Sequence, residues 1–169
     1  MKALLKIEKA IDAICKFFTY LAALLIALLT LDVFLNVIFR AIGRPIVVST
    51  ELTTIIFPWI VCVAMIVVAR KEENTALVLF FEKFKAPLNH IAYIFNNMVM
   101  MVFAVLMAKS SLEISLPLIN EYLPLTHLSK AITYGSVFIG FAGVFIVTLF
   151  NTIKYIFFNV VNSDKGGVK

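Results

Sequence analysis

Charged side chains are scarce in this 169-residue chain, at 15% against 62% apolar, and only two residues are histidine. A soluble domain of this length needs more polar surface, so a water-facing globule is excluded. Cysteine is almost as rare. Cys15 and Cys62 fall in separate segments, which leaves no disulfide framework and no thiolate metal site, and both read as inert packing residues. There is also no nucleophile beside a base, no carboxylate pair, no Gly-rich phosphate loop and no CxxC. The expectation is a chain that is not an enzyme and holds no metal or cofactor of its own. Net charge is +5, but the basic residues flank apolar segments instead of forming one stripe, so nucleic acid is not an expected partner.

What the chain does have is four apolar blocks, at 17–39, 46–69, 88–108 and 131–150. Each is close to the ~20 residues that carry a helix across hydrocarbon. The fold class expected is an all-α integral membrane protein with four transmembrane helices in one domain. Of the 15 Lys and Arg, Arg40, Arg44, Lys109 and Lys130 lie in two of the connections. The rest lie before the first block, in the 70–87 connection or after the last block, and positive charge marks the cytoplasmic side. Both termini are therefore expected in the cytoplasm, and the first block is expected to remain as a signal-anchor helix because no small-x-small site closes it.

Two connecting segments are amphipathic. Leu4, Ile7, Ile11 and Ile14 recur at helical spacing opposite Lys2, Lys6, Lys9, Asp12 and Lys16, which predicts a helix lying in the membrane surface over 1–16. Leu77, Phe80, Phe81 and Phe84 repeat the pattern over 72–85, with Lys83 and Lys85 at the polar side, and Arg70 and Lys71 just before it. These eight basic residues are the expected membrane anchors. Residues 109–130, broken by Pro117 and Pro124, predict a short loop on the far side, and the tail from 162 reads as solvated.

The polar residues inside the blocks are the candidate functional positions. Asp32 is an acid in an apolar span, with Asn36 and Arg40 following on the same helical side. It is either a cation or proton site or part of a polar seam to another helix. The seam is favoured, because a sodium site needs several oxygen ligands. Glu51, after Ser49 and Thr50, is placed to favour a helix N-terminus or to pair with a basic group on another subunit. Pro58 predicts a kink, and Trp59 beside it a packing or subunit contact. Asn96 and Asn97 read as amide glue between helices, and Ser136, Gly140 and Gly143 form a small-residue stripe for a close helix approach. Tyr134, Phe138, Phe141 and Phe145 make a separate aromatic stripe facing lipid or protein. His90 and His127 fall on opposite sides of the membrane, which argues against a shared haem or metal.

The order of these features resembles the small membrane subunit, DctQ-like, of tripartite ATP-independent periplasmic (TRAP) transporters. The resemblance covers essentially the whole chain and rests on the amphipathic start, the four spans, and the run Glu51-Leu52-Thr53-Thr54 leading through Pro58-Trp59 and Ala64 to Arg70-Lys71-Glu72-Glu73. The Pro117 and Pro124 loop before Ile139-Gly140-Phe141 is also similar. One departure is Asn74, where relatives often have histidine. The resemblance implies a non-catalytic scaffold in the bacterial inner membrane. Its partners would be lipid, a large membrane subunit carrying the sodium and substrate sites, and a periplasmic binding protein delivering an organic anion of the sialic acid or C4-dicarboxylate class. Asp32, Asn36, Arg40, Glu51, Trp59, Asn96, Asn97, Ser136, Gly140 and Gly143 would be helix or subunit contacts. Other readings stay open: a homodimeric exporter with Asp32 as coupling acid, or a membrane assembly protein.

Overall fold

The computed structural model describes residues 2–71 and 86–163, with side chains described over 6–71 and 92–156. Among the described residues there are four α-helices, α1 (Lys2–Ala41), α2 (Val48–Lys71), α3 (Ala86–Ser115) and α4 (Ala131–Ser163), with a short 3-10 turn at Pro117–Asn120. All four are long and apolar enough to cross a membrane. The protein is all-α, as the hydropathy pattern predicts. The interfacial helix expected at 72–85, with Lys83 and Lys85, lies outside the described residues, as do the tail beyond Ser163 and the side chains of Lys2 and His90.

The helices are longer than the apolar blocks. Segments 1–16 and 17–39, read from sequence as an interfacial helix and a span, are continuous in α1, which runs 40 residues without a break. Its end is built by Gly43, whose φ of 80° is a left-handed conformation that glycine adopts at no steric cost. The Arg44 N–H donates to the Phe39 carbonyl at 2.9 Å and the Gly43 N–H to the Arg40 carbonyl at 3.1 Å. This pair of bonds is a Schellman closure, and Pro45 then prevents the helix from resuming. Helix α2 begins with Glu51 in its first turn and ends on Arg70 and Lys71, both favourable to the helix dipole, and it continues through Pro58.

Across the molecule the helices stand in a row, α1, α2, α4, α3, because α1 packs on α2 while α4 packs on both α2 and α3. The inner pair is the more buried: 44% of the most apolar stretch of α4 is buried, against 6% for α1. The core contains Cys15 of α1, Ile66 and Ala69 of α2, Ala104 of α3, and Phe141, Val144 and Val147 of α4. Gly140 and Gly143 of the small-residue stripe lie where α2 meets α4. A Cβ on Gly140 would lie 2.6 Å from the Cys62 Cβ, and one on Gly143 would lie 2.5 Å from the Ile66 Cδ1. Ser136, fully buried, satisfies its hydroxyl on the Thr133 carbonyl at 2.6 Å. The aromatic stripe divides: Phe141 is buried and meets Phe103 of α3 edge-on at 5.7 Å, whereas Tyr134 and Phe138 face outward.

Candidate functional site: polar clamps at the two ends of the helices

Helices α1 and α2 run antiparallel, α2 and α4 parallel, and α3 antiparallel to α4. Lys2, Lys71, Ala86 and Ser163 therefore share one end, here the terminal end, and the two described connections share the other, the loop end. Polar bonds between distant parts of the chain gather at these two levels.

At the loop end, the Ser49 hydroxyl donates to Asp32 Oδ2 at 2.6 Å, and the Ile46 N–H donates to Asn36 Oδ1 at 3.1 Å. The two residues singled out on α1 thus hold the approach to α2, and Ser49 is buried beneath them. Arg40, third in that series, is exposed in the last turn of α1. Glu51 reaches across to the loop between α3 and α4. Its carboxylate accepts the Thr126 N–H at 2.8 Å, the Thr126 hydroxyl at 2.9 Å and the Leu125 N–H at 3.1 Å. It stands at the N-terminus of α2, but what it binds is a distant loop.

That loop is itself braced. The Leu123 N–H donates to the Leu128 carbonyl at 2.9 Å, the Lys130 N–H to the Glu121 carbonyl at 2.9 Å, and the Ser129 hydroxyl to the Ile119 carbonyl at 2.9 Å. His127, with φ of 52°, turns the chain between them. Lys130 and Glu121 pair at 2.9 Å on the exposed side. The two ends of the loop are drawn together by Ser111 and Ser115 of α3, which donate to the Tyr134 and Ala131 carbonyls of α4 at 2.6 and 3.3 Å.

At the terminal end the organiser is Arg70. Its guanidinium donates through Nε to Asp12 Oδ1 at 2.8 Å and through Nη1 to Asn151 Oδ1 at 2.6 Å, and Nη2 stands 3.5 Å from Glu8 Oε1. Asn151 also donates to the Ala69 carbonyl at 3.1 Å, and Lys154 pairs with Glu8. The Phe150 ring lies 5.5 Å below the guanidinium carbon, a cation–π distance. Two acids from α1, two bases and one amide thus join three helices, with the Arg70 side chain only 12% exposed. Expected as a lipid anchor, Arg70 is instead bound within the chain. The other described anchors, Lys6, Lys9, Lys16 and Lys71, are exposed.

Sequence reasoning missed Glu8, Asn151 and Lys154, and read Asp12 only as part of the polar side of a helix in the membrane surface. The available signal was the i, i+4 spacing of Glu8 and Asp12, matched by an arginine at the end of an apolar span. Trp59 and Asn96 are half-buried, and Asn97 is buried on α3 with its Nδ2 lacking a hydrogen-bond partner among the described residues. Among the described residues, no three His, Cys, Asp or Glu side chains come together as metal ligands. Asp32, Asn36, Glu51 and Arg70 already have partners inside the chain. These clamps hold helices and a loop in place.

Compared with known families, residues 29–157 match the one described as Tripartite ATP-independent periplasmic transporters, DctQ component. The chain belongs to the DctQ family. None of the curated proteins or solved structures searched matches it. As a DctQ-family chain it is a multi-pass membrane protein and a TRAP transporter component. The family match contains the whole loop-end clamp, and Arg70, Asn151 and Lys154 of the terminal-end clamp. Glu8 and Asp12 precede it.

Proposed function

We propose that this DctQ-family chain is the non-catalytic scaffold of a sodium-driven TRAP transporter. It would hold the large transport subunit in the bacterial inner membrane while an organic anion, of the sialic acid or C4-dicarboxylate class, arrives from a periplasmic binding protein. The observation that carries this reading is how the polar groups are used. Asp32, Asn36, Glu51 and Arg70 are bonded to other parts of the same chain, so they brace the fold and leave the outer faces of α1 and α3 apolar. A subunit that moves a transport domain by an elevator-type motion needs a rigid, static neighbour, and a braced row of helices suits that role. Sodium and substrate sites would then belong to the large subunit. Both termini would face the cytoplasm, which puts the 121–130 loop on the periplasmic side, within reach of the binding protein.

The experiment is a mild-detergent isolation of the chain from its native membrane, followed by mass spectrometry of what stays bound. A large multi-span protein in about equal amount is the expected result. Recovery of the chain alone, able to transport by itself after reconstitution, overturns the scaffold reading. A second arm uses Asp32→Asn, which should weaken assembly and leave sodium dependence unchanged in the complex that remains.

A further inference from the structure

The spacing between the two clamps has a physical match. Along α1, Asp12 and Asp32 are separated by about 20 residues, or roughly 30 Å at ~1.5 Å per residue. Along α2, Ser49 and Arg70 are separated by about 21 residues, and along α4, Ala131 and Asn151 by about 20, again roughly 30 Å. The cross-links place these pairs at common levels. Asp12, Arg70 and Asn151 meet at the terminal end, Asp32 meets Ser49 at the loop end, and Ser115 reaches Ala131 there. The hydrocarbon core of a bilayer is ~30 Å thick.

We infer that the two clamps are the membrane-facing registers of the chain: the bilayer's headgroup layers lie at the two polar levels and its hydrocarbon fills the interval between them. This surface takes a lipid bilayer as its partner. The inference needs only the four spans and is independent of the scaffold reading. It moves α1 relative to its own hydropathy. The apolar block 17–39 centres on Leu28 and would bury Asp32 about 9 Å inside the hydrocarbon. The bonds to α2 instead centre the crossing part of α1 near Ala22, and Asp32 stands at headgroup depth. An acid in mid-membrane is costly, whereas one at the interface keeps its hydration.

The charged side chains that fall between the levels lie within about a turn or two of them. Lys16 is exposed about one turn inside the terminal-end level, where its long stem carries the ammonium outward. Lys109 sits inside the loop-end level and pairs at 3.8 Å with Glu113, one turn closer to that end. Tyr20, Leu24 and Leu28, between the levels, are exposed apolar or amphipathic groups suited to lipid contact. Residues 2–11, the start of α1, then stand beyond the hydrocarbon, tied to α4 by Glu8 and Lys154. That part of the helix is upright against its neighbours instead of flat on the surface.

The test is a depth series by electron paramagnetic resonance on the full chain in vesicles of phosphatidylcholine and phosphatidylglycerol with 16- and 18-carbon chains. After Cys15→Ala and Cys62→Ala, single nitroxide labels are placed at Phe17, Tyr20, Leu24, Leu28 and Leu31, and collision with oxygen is compared with collision with a water-soluble nickel chelate. The expected maximum in the oxygen-to-nickel ratio falls between Tyr20 and Leu24, with Leu31 at headgroup depth. A maximum at Leu28, with Leu31 still deep, overturns the inference. Labels at Phe57, Val61 and Val68 of α2 give a second reading that does not depend on α1: the maximum is expected nearest Val61, and a maximum at Phe57 overturns it.

Discussion

Glycine at position 140 is dictated by its neighbour rather than by backbone conformation. The first atom of any side chain would meet the Cys62 Cβ at 2.6 Å and its Cα at 3.1 Å, and neither can rotate away. Gly140→Ala must therefore push α2 and α4 apart, a cost of about 1–3 kcal/mol on the scale of overpacked cores. Gly143→Ala meets the Cδ1 tip of Ile66, which has rotamers to yield, and should cost less. Gly135 has nothing within 4 Å, so Gly135→Ala should be neutral or gain up to ~1 kcal/mol of helix propensity. Melting temperatures of the three variants in detergent should fall in that order, and equal losses would contradict the close approach. Glu51 gives a second prediction. Glu51→Ala leaves the Leu125 and Thr126 N–H groups without their acceptor, so their hydrogen exchange should quicken while amides in mid-α2 stay protected. Glu51→Gln, which keeps an acceptor oxygen, should fall between.

An element's existence was legible in the sequence; the duties of its polar face were not. The blocks at 46–69 and 131–150 locate α2 and α4, yet α4 runs on to Ser163 and α1 begins at Lys2. Hydropathy reports only the apolar run, whereas helical hydrogen bonds continue past it. The Lys and Asp face of residues 1–16 likewise predicted a helix lying in the membrane surface, because periodicity reports that one face is polar and not what it touches. Glu8 and Asp12 find their partner 62 and 58 positions away, beyond the reach of any local pattern. The hub they make with Arg70 supplies a prediction at the level of helix pairing. Arg70→Met keeps much of the buried stem but removes the donors for Asp12 and Asn151, and should destabilise the α1–α2–α4 contact by about 1–3 kcal/mol. Arg70→Lys retains charge without the planar fork, so it cannot serve both acceptors in the same geometry and should recover only part of the loss. Unfolding in mixed micelles of increasing denaturing detergent measures both. Indistinguishable Arg, Lys and Met proteins would show that the hub is not a clamp.

At the scale of the molecule, a row has two edges, and the sequence could not have announced them. Four spans with short connections permit several packings, and small residues at 136, 140 and 143 do not name α2 as the helix they meet. With α2 and α4 inside, the edges are α1 and α3, and a large partner subunit and the surrounding lipid must divide them. The α3 edge carries a shallow apolar groove. Met98, Val102 and Leu106 form an exposed i, i+4, i+8 line, with Phe95 and Phe103 beside it and Phe145 bordering the groove from α4. Methionine in such a groove adapts to an irregular counter-surface, whereas the α1 edge around Leu24 and Leu28 is a plain aliphatic and aromatic cylinder suited to acyl chains. Polar substitution on the two edges should then have different consequences. Val102→Asn should sharply reduce the amount of large membrane protein that co-purifies, while the chain itself remains inserted and helical. Leu24→Asn, at similar exposure, should leave co-purification near its original level and affect only the stability of the isolated chain. The measurement is the ratio of partner to chain after mild-detergent isolation, normalised to membrane content. The reverse pattern would assign the α1 edge to the partner and the α3 groove to lipid, a swap that keeps the row but turns it around in the complex.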